Sequence, residues 1–322
     1  MRMPSRMLVT VMALAVTLGG CSSKGGKAHV DAAKQTSPPM TVAFITHAAP
    51  GDTFWDFIRR GAEAAAAKDN VRLRYASDPD GGGQATLVQN AIDSRVDAIA
   101  VTLAKPDALA AVVRKARAAG IPVVVLNAGI DQWKAVGALN YFGSDDGRAG
   151  EGAGKRAAAE GARHLLCVSQ EQGHVALEAR CDGLSRGFAP GRADKVYVIG
   201  TDMPSVRSTV AAKLRQDPSI DLVVTLGAPF GLTAVEAVKD VGSRAKVATF
   251  DTNPQVPAAI RSGALQWAVD QQPYLQGYLA VDALWLQKTN GAVIGGGEAV
   301  LTGPHFIDKS NVDRLETAAV AR

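Results

Sequence analysis

Polar residues that can form hydrogen bonds follow one apolar segment after another in this sequence. Each stands where a predicted strand ends: Asn127, residues 170–174, Asp202, Asp251 and Gln271. One such position is ordinary turn chemistry. Because the carboxyl ends of parallel strands meet at one edge of a sheet, so many of them predict a shared polar cleft. Carboxylates and amides in that cleft can hydrogen bond to the hydroxyl groups of a sugar.

An aromatic pair stands at the entry to the first predicted helix, in the segment Asp52-Thr53-Phe54-Trp55. Flat aromatic rings can pack against the C–H face of a sugar. The same pair can instead form a hydrophobic staple, in which one ring packs under the helix. Both interpretations stay open at this point, but the segment follows the first predicted strand, where ligands of open α/β sheets bind.

The glycine-rich segment 150–156 only superficially resembles a phosphate-binding loop. Ala149 stands where the first glycine of that motif is needed, and Arg156 stands where a hydroxyl residue is needed. Its small residues predict close packing of a helix, with Asp145 or Asp146 as the cap. The glycine triplets at 81–83 and 295–297 are typical of loops. These patterns predict no phosphate chemistry.

The sequence contains no motif that requires catalysis. It has neither a Gly-x-Ser-x-Gly elbow nor a His-Glu-x-x-His pair. Glu171 and His174 have the i, i+3 spacing of two metal ligands, but no third ligand stands near them in the sequence. We therefore predict a binding protein without catalytic residues, metal or cofactor.

Strands and helices must alternate to position these residues. Apolar runs such as 98–103 and 121–126 are typical of strands buried on both faces of a parallel sheet. Ala-rich periodic segments, such as 106–119, separate them and predict helices. The pattern predicts an α/β fold with two doubly wound parallel-sheet lobes and about ten strands in two runs.

Four regions are predicted along the chain. Residues 1–20 form a signal peptide and residues 21–40 a flexible tether, because residues 22–39 contain almost nothing to bury. The N-terminal lobe is predicted from residues 41–142 plus 271–300. The C-terminal lobe is predicted from residues 143–270 plus 301–322, so that the chain crosses a hinge several times.

The first residues carry an export signal. Arg2 and Arg6 precede an apolar run that is too short to span a bilayer. The segment Leu18-Gly19-Gly20-Cys21 resembles the processing site of bacterial lipoproteins, in which the cysteine is lipidated. It predicts an exported protein in the periplasm or on the outer face of the cell envelope, attached to a membrane through Cys21. Loss of the two arginines lowers the formal charge from +4 to +2, which gives no basic surface for nucleic acid.

Two further cysteines remain after Cys21. In an oxidising compartment an even pair favours a disulfide, so Cys167 and Cys181 are predicted to be bonded. Two buried free thiols are the alternative. A disulfide would constrain the segment 169–180 between them.

The chain resembles the ribose/galactose type of bacterial periplasmic sugar-binding proteins over residues 41 to 313. These proteins share a two-lobed core, the type I periplasmic binding protein fold, with lac-type repressors. They bind a monosaccharide between the lobes and pass it to the permease of an ATP-driven (ABC) importer. The resemblance rests on these segments: Asp52-Thr53-Phe54-Trp55, residues 120–124 before Asn127, residues 179–183 with Phe188, Phe250-Asp251 and residues 270–273.

The resemblance assigns roles to individual residues. It implies a polar contact from Asp52, sugar stacking by Phe54 and Trp55, hydrogen bonds from the Arg180 guanidinium, and hydroxyl contacts from Asp251 and Gln271. Met203 stands where ribose binders have another aromatic residue. The chain departs from the family pattern at Asn127-Ala128 and Gly227-Ala228, which replace Asp-Arg and Asn-Asp. Gln172 and His174 are predicted to substitute for the missing contacts.

The resemblance implies a mechanism of hinge closure. Phe54, Trp55, Asn127 and Gln271 are predicted in one lobe, and Arg180 and Asp251 in the other, so that one sugar would bridge both. We expect a monomer that imports a pentose or hexose. A sensor or chemoreceptor-coupled binding protein for a sugar, a polyol or another small polar ligand is the alternative. A hydrolase would show turnover, and a gene regulator would need a DNA-binding helix pair.

Overall fold

Short runs of apolar and β-branched residues form the strands of two six-stranded sheets. The structure is a computed structural model that describes residues 39–313. The first sheet contains strands β1 Thr41–Thr46, β2 Arg72–Ser77, β3 Ala98–Val101, β4 Val123–Leu126, β5 Tyr141–Ser144 and β11 Val300–Gly303. The second contains β6 His164–Ser169, β7 Arg192–Tyr197, β8 Leu222–Thr225, β9 Lys246–Phe250, β10 Ala268–Asp270 and β12 His305–Ile307.

The two sheets repeat one topology. The first has the strand order β2-β1-β3-β4-β5-β11, and the second has β7-β6-β8-β9-β10-β12. The paired strands are parallel, except that β12 runs antiparallel to β10. Each sheet therefore changes winding direction between β1 and β3, or between β6 and β8, which is where ligands bind in such sheets. This arrangement confirms the predicted fold of two doubly wound lobes.

Helices cover both faces of each sheet. They are α1 Phe54–Lys68, α2 Gly81–Asp93, α3 Pro106–Ala118, α4 Asp146–Ala159, α5 Val175–Phe188, α6 Met203–Gln216, α7 Ala228–Asp240, α8 Val256–Ser262 and α9 Pro273–Asn290. Along β1, Val42 and Phe44 pack into one apolar cluster, while Ala43 and Ile45 pack into another. Burial on both faces explains why the strands read as continuous apolar runs.

Aspartate side chains cap three of these helices. Asp145 accepts a hydrogen bond from the Arg148 backbone N–H at 3.0 Å, which confirms the predicted cap of α4. Asp202 caps α6 in the same way. Asp80 accepts from the backbone N–H groups of Gly82 and Gly83. The glycine triplet at 81–83 is therefore the first turn of α2 and not the expected loop, because the cap satisfies its N–H groups.

Glycines allow one close helix pair in each lobe. A Cβ atom at Gly154 of α4 would overlap the backbone carbonyl of Leu184 in α5. A Cβ at Gly61 of α1 would overlap the carbonyl of Tyr274 in α9. The small residues of segment 150–156 therefore serve helix packing, as predicted, since the two backbones touch there.

The sheet to which each strand belongs shows where the chain crosses between the lobes. β5 ends at Ser144 in the first sheet, and β10 ends at Asp270 in the second. The predicted assignment of residues 301–303 to the C-terminal lobe does not match the sheets, because β11 pairs with β5 through Gly303. The cis bond Gly303–Pro304 separates it from β12 of the second sheet. The short apolar segment 300–307 contributes one strand to each sheet. Its sequence pattern did not show where the first strand ends and the second begins.

Within residues 39–313, no helix has the length and apolar character needed to cross a membrane. The predicted signal peptide, the tether up to residue 38 and the lipidation site Cys21 lie outside the described residues.

Candidate ligand-binding cleft

A cavity of about 1060 Å³ lies between the carboxyl ends of the two sets of parallel strands. All ten residues predicted as ligand contacts line it: Asp52, Phe54, Trp55, Asn127, Gln172, His174, Arg180, Met203, Asp251 and Gln271. We call the prediction that polar residues at the ends of parallel strands share one cleft the strand-end rule. The cavity brings together residues that are spread over more than half of the sequence. Their individual contacts show what each can offer a ligand.

The first lobe supplies an aromatic wall. The Trp55 ring is buried and meets the Phe54 ring edge-on, with 5.3 Å between ring centroids. It also meets the His47 ring edge-on at 4.6 Å. Trp55 belongs to the apolar cluster beneath α1 while it lines the cavity. One pair of rings therefore packs beneath the helix and also lines the cavity.

Asp52 caps the turn that leads into α1. Its carboxylate Oδ1 accepts a hydrogen bond from the Phe54 backbone N–H at 3.0 Å. The residue is exposed at the rim of the cavity. One carboxylate oxygen holds the turn, and the carboxylate keeps acceptor capacity for a ligand hydroxyl.

The second lobe supplies a buried guanidinium between two carboxylates. The Arg180 Nε donates to Asp146 Oδ1 at 2.8 Å, and its Nη1 lies 3.9 Å from Asp251 Oδ2. The guanidinium carbon lies 4.9 Å from the centroid of the Phe250 ring. Arg180 is only 4% exposed. A buried arginine needs such partners to remain favourable, and they fix the direction of its remaining N–H groups.

Burial changes the pKa values of the carboxyl groups beside Arg180. It raises the pKa of Asp251 to about 7 and that of Asp146 to about 6, against the opposing effect of Arg180. The two carboxylates in turn raise the pKa of Arg180 against the effect of its burial. The cleft therefore contains a permanent cation and a carboxyl group that ionises near neutral pH.

An amide network joins the lobes at the back of the cavity. Gln271 Nε2 donates to Asp251 Oδ1 at 2.7 Å, and Asn127 Nδ2 donates to Gln271 Oε1 at 3.1 Å. Gln276 lies behind and contacts both Asn127 and Gln271. Asn127 and Gln271, both predicted as ligand contacts, are thus also bonded to each other. Their side chains position Asp251 at the hinge.

Two strand ends adopt the same unusual backbone conformation. Asn127 after β4 has φ 65°, and Asp251 after β9 has φ 64°. The left-handed region is unfavourable for most residues and is tolerated best by Gly, Asn and Asp. β4 and β9 occupy equivalent positions in the two sheets. In both lobes, therefore, the same strained backbone conformation turns a polar residue into the cavity.

The remaining predicted contacts come from loops of the second lobe. Met203 is the first residue of α6, and its sulfur lies 3.7 Å from Thr233 Oγ1. Gln172 is exposed in the turn after β6. His174 is buried, and its Nε2 lies 2.9 Å from His47 Nε2. The predicted disulfide between Cys167 and Cys181 is present, with 5.9 Å between the Cα atoms, and it brackets this loop.

Sequence reasoning named neither His47 nor Gln170 as a ligand contact, although both line the cavity. His47 follows β1 directly and therefore satisfies the strand-end rule. Gln170 follows β6, and its buried Oε1 has no hydrogen-bond partner within residues 39–313. Gln170 already stands in the predicted strand-end segment 170–174, and the same rule would have found His47.

The i, i+3 pair Glu171 and His174 does not form a metal pair. Glu171 is bonded to Lys105 at 2.8 Å, and His174 to His47. A separate group, His164 with Asp194 and Asp217, brings three ligand atoms within 4.8 Å of one another at the opposite end of β6. Arg192 forms ion pairs with both of these carboxylates. Arg192 thus supplies a positive charge that these two carboxylates share.

Two α/β lobes with a polar cleft between them, an aromatic wall on one side and a buried arginine on the other, define a class of two-lobed solute-binding proteins. Residues 42–291 match the family described as periplasmic binding protein domain. The chain belongs to this family, whose members are transport-associated binding proteins and not enzymes.

Solved and curated relatives agree with this placement. A carbohydrate transporter from Acidothermus cellulolyticus, crystallised with myo-inositol, is 61% identical with a TM-score of 0.86, over 88% of this chain and 98% of that one. The ribose import binding protein RbsB of Bacillus subtilis is 28% identical over 71% of this chain and 76% of its own. The xylose/arabinose-binding protein XylF of Sulfolobus acidocaldarius is 26% identical over 85% and 72%.

Proposed function

We propose that this protein captures a small cyclic polyhydroxylated ligand, a monosaccharide or an inositol-like polyol, and delivers it to an ABC importer. The observation that carries the proposal is the cleft itself. Trp55 and Phe54 provide an apolar wall on one lobe, and Arg180 with Asp251 provides charged donors and acceptors on the other. A ring with C–H faces and several hydroxyl groups matches both walls.

Among these ligands, myo-inositol is the first to test. The Acidothermus cellulolyticus protein crystallised with it shares 61% of its sequence with this chain. An inositol ring carries a hydroxyl on every carbon and no ring oxygen. Arg180 donates, while Asp251 accepts, so the two residues can engage neighbouring hydroxyls of any such ring.

Closure of the two lobes is the proposed mechanism of capture. We place the N-terminal lobe at residues 41–144 plus 271–303 and the C-terminal lobe at 145–270 plus 305–313, which follows sheet membership. Three crossings of the chain then form the hinge. A ligand that contacts Trp55 and Arg180 at once favours the closed state, because it binds the open state with fewer contacts.

The proposed location is the cell envelope. The segment Leu18 to Cys21 supports lipidation of Cys21 after removal of the leader, so that the protein is anchored while its lobes remain free. We propose that it acts as a monomer, since one chain contains both walls of the cleft. Mass spectrometry of Cys21→Ala beside the unchanged protein tests the lipid, and light scattering tests the oligomeric state.

A thermal-shift panel of pentoses, hexoses and inositols tests the ligand class. A ligand that binds only the folded state raises the unfolding midpoint. At a free ligand concentration of a hundred times its Kd, it adds about 2.7 kcal/mol to the free energy of unfolding. Amino acids and nucleosides belong in the same panel. Stabilisation by either of these, without stabilisation by any sugar or polyol, would overturn the proposal.

A further inference from the structure

His47 and His174 join the two lobes by a direct hydrogen bond. His47 follows β1 of the first sheet, and His174 precedes α5 of the second lobe. Their Nε2 atoms are 2.9 Å apart, and their ring centroids are 4.7 Å apart. Both residues line the cleft. A nitrogen-to-nitrogen bond of this kind needs one ring that donates and one that accepts.

The residues behind His47 determine where its proton lies. Gln84 Nε2 donates to the carbonyl oxygen and to Oγ1 of Thr102, both at 2.9 Å. The His47 backbone N–H also donates to Thr102 Oγ1, at 3.2 Å. These two donors occupy both lone pairs of the hydroxyl oxygen. The Thr102 hydroxyl hydrogen must therefore be donated to His47 Nδ1, which lies 2.7 Å away.

The proton order of the pair follows from this arrangement. With Nδ1 as an acceptor, neutral His47 carries its proton on Nε2 and donates it to His174 Nε2. Neutral His174 then carries its proton on Nδ1, a buried atom without a partner within the described residues. If both rings are protonated, two N–H groups face each other and the bond is lost.

The surroundings favour the neutral rings. Lys105 faces both histidines, and Arg180 and Glu178 face His174. Glu171 pairs with Lys105 at 2.8 Å and balances its charge. Burial is the largest effect: it lowers the pKa of His47 well below its usual value and that of His174 to about 3.

We propose that His47 and Thr102 are positioning residues of ligand capture, which hold neutral His174 of the facing lobe and so stabilise the closed cleft. This inference rests on the proposed function, because capture requires closure. It gives the chain a dependence on acidity: closure weakens as the two imidazoles become charged.

The direction of the pH effect follows from linkage. Exposed imidazoles in the open state titrate near their usual pKa of about 6.5, whereas the closed state keeps them neutral. Below about pH 6.5 the open state binds protons that the closed state excludes. Each histidine then lowers the closed population by up to about tenfold per pH unit.

Calorimetric affinities for myo-inositol, or for the ligand that the panel identifies, test the inference. The unchanged protein is compared with the double variant His47→Gln/His174→Gln at about pH 8 and about pH 5. Asp251 titrates in the same window, but it is present in both proteins, so the ratio of their affinities cancels its contribution. We expect the affinity of the unchanged protein, divided by that of the double variant, to fall at least about tenfold between about pH 8 and about pH 5. The control His305→Gln changes an exposed histidine and should leave the affinity and its pH profile unchanged.

Variants of Thr102 distinguish a positioning effect on His47 from the simple loss of its ring. Thr102→Val removes the hydroxyl that fixes the His47 proton, so the affinity at about pH 8 should fall a few-fold, whereas Thr102→Ser should retain it. Equal pH profiles for the unchanged protein and the double variant, with binding intact, would overturn the histidine inference and leave the proposed function standing.

Failure of every sugar and polyol to bind would overturn the proposed function, and the pair is then tested without ligand. Small-angle X-ray scattering should show that the unchanged protein expands between about pH 8 and about pH 5, and that the double variant does not. The same radius change in both proteins would overturn the inference.

Discussion

Arg180 is the residue whose environment is most specific to a ligand site. It is buried beside Asp146, Asp251 and the Phe250 ring, although an arginine in a core normally costs free energy. Asp146 is 2% exposed and accepts its hydrogen bond from Arg180, so it orients the guanidinium from behind. Its Nη1 donates to the Leu226 carbonyl oxygen at 3.4 Å and lies 3.9 Å from Asp251 Oδ2, both in residues that line the cavity.

Arg180→Lys should weaken ligand binding strongly. A lysine keeps the charge but cannot reach both carboxylates with a planar fork. Loss of hydrogen bonds from a charged group predicts a cost of about 1.5–3 kcal/mol, or roughly ten- to a hundredfold in Kd measured by calorimetry. Arg186→Lys, at an exposed position of the same helix, is the matched control. Equal Kd values for the two variants would remove Arg180 from the site.

Asp251 should make stability and binding respond oppositely to pH. Its pKa of about 7 in the folded chain lies above the unfolded value of about 3.9. The protonated form therefore stabilises the fold at low pH, and this contribution is lost as pH rises through 7. The ionised form, in contrast, is the better acceptor for ligand hydroxyls.

Asp251→Asn is the corresponding test. At about pH 8 the variant should melt at a higher temperature, because a buried charge is gone, and should bind the ligand more weakly. Its affinity should also lose the increase, up to about tenfold, that the unchanged protein shows between about pH 6 and 8. A variant that melts lower and binds equally well would show that Asp251 is structural only.

The strand-end rule predicted the residues of the cleft better than their partners. It located Asn127, Asp251 and Gln271, because parallel strands deliver their ends to one edge. It could not reveal that these three side chains bond to one another. Nor could it locate Asp146, whose role depends on α4 packing against α5 of the same lobe, a contact between residues 34 positions apart.

At the scale of elements, the helix pairs α4–α5 and α1–α9 pack backbone against backbone, one pair in each lobe. Alternation and apolar runs in the sequence predicted most of these elements. The pattern failed where a tertiary contact decides the structure: Asp80 draws three glycines into α2, and β11 and β12 divide one short segment between two sheets. Propensity alone cannot decide such cases.

Two glycines of α4 should respond in opposite ways to alanine. Gly154→Ala places a Cβ against the Leu184 carbonyl and should cost about 1–3 kcal/mol of unfolding free energy. At Gly152 the same atom would meet the Phe306 ring at an ordinary 3.5 Å. Gly152→Ala should therefore gain up to about 1 kcal/mol from helix propensity. Urea denaturation measures both, and equal effects would contradict the packing argument.

The disulfide should stabilise the loop that contains Gln172 and His174. Cys167 and Cys181 are 14 residues apart, and closing a loop of this length is worth about 3 kcal/mol in the chain-entropy model. The double variant Cys167→Ala/Cys181→Ala should lose unfolding free energy of that order and exchange amide hydrogens of residues 170–174 faster. Cys167→Ala alone gives a matched comparison with a free thiol. Unchanged exchange in the loop would limit the disulfide to global stability.

At the scale of the whole molecule, the two lobes meet through few contacts outside the hinge. His47 bonds to His174, the Val175 backbone N–H donates to the Ala104 carbonyl at 3.1 Å, and Lys105 pairs with Glu171 at 2.8 Å. Ala104, Ala128 and Ala176 form a small apolar cluster beside them. Few and small contacts suit a protein that must open again, since a large apolar interface would keep it shut.

Exchange of the charges of Lys105 and Glu171 tests whether these contacts act on closure. The two side chains come from different lobes and are each about one-third exposed, at 35% and 32%, so their ion pair should contribute about 0.2–1 kcal/mol. Lys105→Glu and Glu171→Lys each place like charges together and should raise the Kd for the ligand a few-fold. The double exchange Lys105→Glu/Glu171→Lys restores attraction and should return most of the affinity. Glu171 lines the cavity whereas Lys105 does not, so Lys105→Glu and the double exchange report the closing equilibrium most directly. If the single and double variants show simply additive losses, the pair does not couple the lobes, and closure depends on the ligand and the hinge alone.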